Sequence, residues 1–84
     1  MKDLNILVMG AGAVGSAVGG FLRRGGHRVA LVGRGPHMAA IRERGLRIEG
    51  IWGEHLIHGL RTFTSVQEVP REHFDIVLIT TKSY

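Results

Sequence analysis

The sequence has 84 residues, enough for one small domain, and its 44% of apolar residues excludes an intrinsically disordered chain. It has no cysteine, which excludes disulfides and thiolate metal sites, and no apolar run long enough for a bilayer or a secretion signal. The net charge is +4, but the basic residues are scattered without an aromatic platform, so we expect no nucleic-acid binding. These features predict a soluble, cytoplasmic protein without membrane contact.

A strand, a helix and a second strand are predicted at the start of the chain. Leu4 to Met9 is a short, nearly continuous apolar run, typical of a buried parallel strand. The spacing is helical from Ala13 to Arg24, and Gly25 and Gly26 end this helix. Arg28 to Val32 is a second buried strand, which completes a βαβ unit. The helix is predicted to face the sheet with an apolar stripe of Val14, Val18, Phe21 and Leu22.

The second half of the chain contains four further predicted elements. Pro36 begins a helix that runs to about Arg44 and ends at Gly45. Leu46 to Ile51 and Glu54 to Phe63 alternate apolar and polar residues around Gly53, which predicts an antiparallel excursion. The remaining two are a short helical turn within Gln67 to His73 and a buried strand from Asp75 to Thr80.

These elements predict an α/β fold of the Rossmann type, with a doubly wound, mostly parallel sheet that stops after its fourth major strand. That strand is expected beside the first, and residues 1–84 are expected to be the N-terminal part of the domain. Strands five and six are then expected outside the sequence. The open edge of the fourth strand should therefore pair with another chain, which predicts a homo-oligomer.

A glycine-rich motif joins the first strand to the first helix. It has the pattern G-x-G-x-x-G and consists of Gly10, Ala11, Gly12, Ala13, Val14 and Gly15. Gly10 permits the tight turn, Gly12 lets the backbone approach a pyrophosphate, and Gly15 allows close helix–strand packing. Because the motif follows a strand and opens a helix, it predicts a dinucleotide site rather than a merely flexible loop.

The end of the second strand indicates which dinucleotide is bound. NAD-binding folds place a carboxylate there for the ribose 2′-hydroxyl, but this strand ends in Gly33-Arg34. The guanidinium of Arg34 can bind a 2′-phosphate, which predicts NADP(H), with a solvated turn arginine as the alternative. His37 and Arg42 could assist from the next helix, although solvated surface is the favoured role for both.

Other polar residues give weaker signals. Thr81 and Lys82 follow the last strand at the carboxyl edge of the sheet. Lys82 could contact the nicotinamide half of the cofactor or an acidic substrate, and the alternative is a surface lysine. His55 and His58 point to opposite faces of a strand, so no metal site is predicted. His27 is interpreted as a turn residue or a partner of the helix end. Asp75 and Glu49 have no identifiable partner in the sequence, so neither is given a catalytic role.

The chain combines three segments: residues 1–35, IRERGLRIEG at 41–50 and FDIVLITTKSY at 74–84. Together they resemble the N-terminal portion of the ketopantoate reductases (2-dehydropantoate 2-reductases). The resemblance implies reduction of 2-dehydropantoate with NADPH, a step towards pantothenate, or of a related 2-keto acid. It also implies pyrophosphate binding by Gly10 to Gly15, 2′-phosphate binding by Arg34 and a nicotinamide contact from Lys82.

The family's catalytic lysine and acidic substrate ligand belong to a C-terminal helical domain, so no catalytic residue is predicted within this sequence. The chain alone is expected to be inactive. Two alternatives remain open at this point. One is a non-catalytic dinucleotide-binding module, and the other is the first half of another NAD(P)-dependent dehydrogenase, of the hydroxyacid or 6-phosphogluconate type.

Overall fold

The computed structural model describes residues 3–10, 12–50 and 53–80. The α-helices among these residues are α1 (Ala13–Arg24) and α2 (Gly35–Arg44). Its strands are β1 (Asn5–Met9), β2 (Arg28–Val32), β3 (Leu46–Gly50), β4 (Gly53–Ile57), β5 (Arg61–Phe63) and β6 (Ile76–Ile79). A single 3₁₀ turn, Val66–Glu68, provides the helical turn predicted nearby. Neither described helix has the length and apolar character of a membrane span.

Four strands form a parallel sheet in the order β5-β2-β1-β6. This confirms the α/β class and the prediction that the last strand pairs with the first. The prediction that this strand is buried was wrong: β6 is largely exposed because it lies at the edge of the described sheet. The two central strands are almost entirely buried, which explains their continuous apolar sequences. Their alternate residues contribute to two apolar clusters, and the larger cluster includes Met38 and Ile41 from α2. Both helices consequently pack on one face of the sheet.

The face of α1 that meets the sheet differs from the predicted one. Val14 is 70% exposed and Val18 is 38% exposed, whereas Gly15, Gly19 and Gly20 are buried. A Cβ atom at position 19 would lie 2.7 Å from a methyl group of Leu31 and 3.3 Å from one of Val29. The helix thus approaches the sheet through residues without side chains, and of the predicted stripe only Leu22 packs against the core. Apolar periodicity does not register this face because glycine contributes no hydrophobic side chain.

The predicted antiparallel excursion forms, but its second arm is shorter than expected. β3 and β4 pair as a hairpin with Leu46 opposite Ile57, and both of these side chains are buried. The predicted arm continued to Phe63. Instead Gly59 has a positive φ of 85°, and β5 pairs in parallel with β2. The three residues of β5 are therefore part of the main sheet and not of the hairpin.

At the amino ends of the strands, polar side chains connect the two edges of the parallel sheet. Arg61 binds both carboxylate oxygens of Glu72, at 2.7 and 3.1 Å, and Asn5 Nδ2 donates to the same carboxylate at 2.6 Å. Hydrogen bonds from Arg61 and then Asn5 lower the pKa of Glu72 to about 2. Asp75, expected to lack a partner, accepts the backbone N–H of Asn5 at 2.7 Å. Glu49, for which none was expected either, lies 3.4 Å from Arg47.

We predict that Glu72→Gln makes the free energy of unfolding less dependent on pH in the acidic range. The pKa of Glu72 in the folded protein lies below its ordinary value of 4.5. Its carboxylate therefore stabilises the fold fully above pH 4.5, and this stabilisation is lost as the pH falls towards about 2. The carboxyl is partly solvated, so we expect a loss of about 1 kcal/mol at neutral pH. Urea unfolding of both proteins at about pH 7 and about pH 3 measures it, and equal losses of stability on acidification would exclude this role for Glu72.

Candidate functional site

The glycine motif forms a tight turn between β1 and α1. Gly10 has a positive φ of 77°, which glycine adopts without steric cost, and its N–H donates to the carbonyl of Val32 at the end of β2. The N–H of Gly12 then donates to the Gly10 carbonyl at 2.7 Å. Gly12 is the N-cap of α1, and its own carbonyl accepts from Ser16 at 2.9 Å. These bonds fix the start of α1 at the carboxyl edge of the sheet.

The start of α1 is suited to an anion. The first amides of a helix have no intrahelical acceptor and carry the positive end of the helix dipole. The first turn of α1 contains no acidic residue to neutralise that end, and no side chain provides a cap. A Cβ atom at Gly12 would meet nothing within 4 Å, so there is open space above the turn. Ala11 lies outside the described residues.

Gly15 is needed for a close approach between α1 and the end of β6. A Cβ atom there would overlap Thr80 Oγ1 and would lie 3.3 Å from Thr80 Cβ. The Thr80 hydroxyl lies 3.2 Å from the carbonyl of Met9 and 3.1 Å from that of Gly10, so it can donate to either. The Thr80 N–H also donates to Met9 at 2.9 Å. Thr80 therefore ties β6 to the glycine turn, a role that sequence reasoning missed.

Arg34 lies at the neighbouring strand end, as the N-cap of α2. Its side chain is exposed, and no other described residue forms a hydrogen bond or an ion pair with the guanidinium. The preceding residue, Gly33, donates its N–H to the carbonyl of Phe63 at 3.0 Å. The backbone is thus anchored while the cationic group remains accessible. β1 and β2 pair with Met9 opposite Val32, so the turns after them are adjacent.

His37 and Arg42 each have a defined contact, in contrast to the solvated surface role that was favoured for them. His37 Nε2 lies 2.9 Å from the hydroxyl of Ser16 on α1. Arg42 Nε donates to Thr62 Oγ1 at 3.1 Å, and its terminal nitrogen donates to the Thr62 carbonyl. Arg42 is therefore a clamp between α2 and β5, while His37 connects the two helices near their N-termini.

The remaining candidates are dispersed or lie outside the described residues. His27 Nδ1 accepts the N–H of Leu4 at 3.1 Å, which joins the loop after α1 to the start of β1. His55 contacts the ring of Phe21 with a centroid separation of 6.2 Å. Thr81 and Lys82, predicted at the carboxyl edge, lie outside the described residues. No described group of His, Asp and Glu side chains has the arrangement of a metal site.

An open groove of about 450 Å³ lies elsewhere on the molecule, between the last turn of α1 and strand β4. Arg24 and His55 approach each other there at 3.4 Å. α1 has 12 residues and is about 18 Å long, so the groove is at the opposite end of the helix from the glycine turn. The C-terminal end of a helix carries negative dipole charge, and we therefore assign the anion site to the glycine turn and not to this groove.

Comparison with known proteins gives consistent matches along the chain. The family model described as ketopantoate reductase PanE/ApbA matches residues 6–84. The 2-dehydropantoate 2-reductase of Aquifex aeolicus is 46% identical over 82 residues, which are 96% of this chain and 24% of that protein. The chain spans about a quarter of the length of the curated relatives that it matches.

Two solved structures share the fold and detectable sequence identity. The 2-dehydropantoate 2-reductase from Methylococcus capsulatus matches with a TM-score of 0.75 and 32% identity, over 90% of this chain and 24% of that one. The ternary structure of D-mandelate dehydrogenase with NADH and anilino(oxo)acetate matches with a TM-score of 0.76 and 28% identity, over 95% of this chain and 25% of that one.

We predict that Gly15→Ala and Gly12→Ala differ sharply in their effect on stability. The new methyl group at position 15 overlaps Thr80, and overpacking of this kind costs about 1–3 kcal/mol, offset by up to about 1 kcal/mol of helix propensity. The methyl group at position 12 meets open space, so we expect a change within about 0.5 kcal/mol. Chemical denaturation of the two variants measures the difference.

A double-mutant cycle isolates the contact with Thr80. Removing the Thr80 side chain as Thr80→Ala eliminates the overlap, so Gly15→Ala should be less destabilising in that background than alone. Additive effects of the two substitutions are inconsistent with the close approach described here.

Proposed function

The chain belongs to the ketopantoate reductase family, and we propose that it forms the NADP(H)-binding part of an oxidoreductase that reduces 2-dehydropantoate or a related 2-keto acid. The product would be the corresponding 2-hydroxy acid, and with 2-dehydropantoate the reaction belongs to pantothenate biosynthesis. The observation that carries the proposal is the pairing of an acid-free helix start with an accessible arginine at adjacent strand ends. We propose no catalytic residue among the described ones, and assign catalysis to sequence outside this domain.

The residues present fit a phosphorylated dinucleotide. The amides at the start of α1 would hold the pyrophosphate, and the open space above Gly12 permits the close backbone approach that this requires. Arg34 would bind the adenosine 2′-phosphate through its guanidinium. Thr81 and Lys82 are proposed to bind the nicotinamide half of the cofactor, as the family resemblance implies for Lys82. When bound, the cofactor supplies the hydride, and the protein supplies its position and electrostatic surroundings.

Charge is the reason for proposing NADP(H) over NAD(H). A carboxylate at the end of β2 would repel a 2′-phosphate, and this strand is followed by Gly33 and Arg34 instead. A hydrogen bond to a charged group contributes about 1.5–3 kcal/mol, which corresponds to roughly 10- to 150-fold in affinity. That range is sufficient for one arginine to determine which of the two cofactors is preferred.

The alternative candidate is an NADH-dependent dehydrogenase of 2-hydroxy acids. It is favoured by the likeness to D-mandelate dehydrogenase, whose structure was solved with NADH. The two candidates make different demands on the end of β2. An NADH enzyme gains nothing from an unpaired cation beside the ribose, whereas an NADPH enzyme depends on it. Arg34 therefore separates them experimentally.

We predict that the natural protein binds NADPH more tightly than NADH and that Arg34→Ala abolishes most of this preference. The NADPH dissociation constant should rise roughly 10- to 100-fold, because one charge-assisted contact is lost, and the NADH constant should change less than about threefold. Titration of each cofactor, followed by its fluorescence, measures both values.

Arg44→Ala is the matched control, since it removes an equal charge from the exposed C-terminal turn of the same helix. It should leave the ratio of the two dissociation constants unchanged. Equal affinity of the unmodified protein for NADPH and NADH would favour the NADH-dependent alternative. A preference for NADPH that is unaltered in Arg34→Ala would rule out Arg34 as the ligand of the 2′-phosphate.

We further propose that the edge of β6 carries a pairing surface. β6 is the last strand in the order of the described sheet, and its apolar side chains are exposed: Ile76 by 38%, Val77 by 50% and Ile79 by 71%. Unpaired strand edges with apolar side chains promote association between chains. A second copy of the chain is the proposed occupant of this edge when residues 1–84 are studied alone.

We predict that the 84-residue chain self-associates and that Val77→Lys shifts it towards the monomer, because charge on an edge strand opposes pairing. Sedimentation velocity over a range of concentrations gives the mass. Val66→Lys is the control, as Val66 is also 50% exposed but lies outside β6. A monomer at high concentration before any substitution would rule out pairing through this edge.

A further inference from the structure

The site contains two helix starts that face the same sheet edge. α1 begins after β1 and carries the glycine turn, while α2 begins after β2 and carries Arg34 at its N-cap. The two strands are neighbours in parallel register, so the two helix starts are neighbours as well. A dinucleotide with a 2′-phosphate has anionic groups for both, whereas one without it has its only anionic groups at the pyrophosphate.

A side-chain hydrogen bond connects these two helix starts. Ser16 is the fourth residue of α1, and its hydroxyl lies 2.9 Å from Nε2 of His37, the third residue of α2. Ser16 is only 2% exposed, and His37 is partly buried. A hydrogen bond in such a position is shielded from water and restrains both partners.

The other end of α2 is held independently. Arg42 binds the hydroxyl and the carbonyl of Thr62 on β5, and Met38 and Ile41 are buried in the apolar core. The general placement of α2 on the sheet therefore does not require His37. The contact with Ser16 additionally restrains the first turn of α2 relative to the first turn of α1. His37 is three residues from Arg34, so this restraint acts close to the guanidinium-bearing residue.

We infer that the Ser16–His37 hydrogen bond is a specificity element, which sets the separation between the glycine turn and Arg34 and thereby favours dinucleotides that carry a 2′-phosphate. This inference rests on the proposed NADP(H) function. Its physical basis is preorganisation, because a ligand that binds two turns at once gains affinity when their spacing is already correct. The affinity for a ligand held by the glycine turn alone does not depend on that spacing. Ser16 and His37 are thus positioning residues.

The test compares NADPH and NADH binding to the natural protein and to Ser16→Ala, His37→Phe and His37→Gln. Loss of the Ser16–His37 hydrogen bond predicts a rise of about 3- to 10-fold in the NADPH dissociation constant for Ser16→Ala and His37→Phe, with the NADH constant within about twofold. His37→Gln retains an amide near the position of Nε2 and should restore most of the preference. Arg42→Gln is the matched control on α2, and it should leave the ratio of the two constants unchanged.

The outcomes separate the inference from the function on which it rests. Equal weakening of NADPH and NADH binding by Ser16→Ala and His37→Phe would make the contact merely structural and overturn the inference. If Arg34→Ala still removed the preference in that case, the proposed function would stand. A natural protein without preference for NADPH would overturn both. Near-ultraviolet circular dichroism verifies that each variant is folded, and if Ser16→Ala is not, the comparison of His37→Phe with His37→Gln decides alone.

Discussion

The close approach of α1 to the sheet is the constraint from which the site follows. Gly15 contacts Thr80, Gly19 contacts the side chains of β2, and Gly20 faces the hairpin, in each case without a side chain of its own between the helix and its neighbours. A helix held at this distance places its first amides directly above the carboxyl ends of β1 and β6. Any side chain at Gly15 would displace the helix start from the edge where a ligand has to bind.

The parallel order of the sheet then determines the rest of the site. Because β2 pairs with β1, Arg34 at the start of α2 is brought beside the glycine turn, and Ser16 reaches His37. The polar groups have different tasks. Thr80 and Ser16 restrain backbone elements, while Arg34 remains without a partner among the described residues. An accessible cation surrounded by fixed elements is a suitable receptor for a phosphate, since little conformational freedom is lost on binding.

The sequence predicted the elements that depend on local patterns. The prediction was wrong or incomplete where tertiary contacts determine the structure. The buried strands β1 and β2 and the helix stops were placed within a residue or two because apolar runs and glycine act locally. The burial predicted for β6 was wrong, because an apolar run does not show that a strand lies at the edge of a sheet. The stripe containing Val14 and Val18 was wrong, since the packing face is marked by missing side chains. Arg61 to Phe63 looked like a hairpin arm because alternation does not reveal the pairing partner. Thr80 and His37 were missed or undervalued because their partners are distant in sequence, although a hydroxyl residue after a strand and a histidine near Arg34 were visible signals.

The most direct test of the central claim is a crystal structure of the natural protein with NADPH. We expect the pyrophosphate to contact backbone amides between Gly12 and Gly15, with the 2′-phosphate on Arg34 and the Ser16–His37 contact intact. A bound NADPH whose pyrophosphate lies away from the start of α1, or an Arg34 directed into solvent beside it, would overturn the assignment of the dinucleotide site.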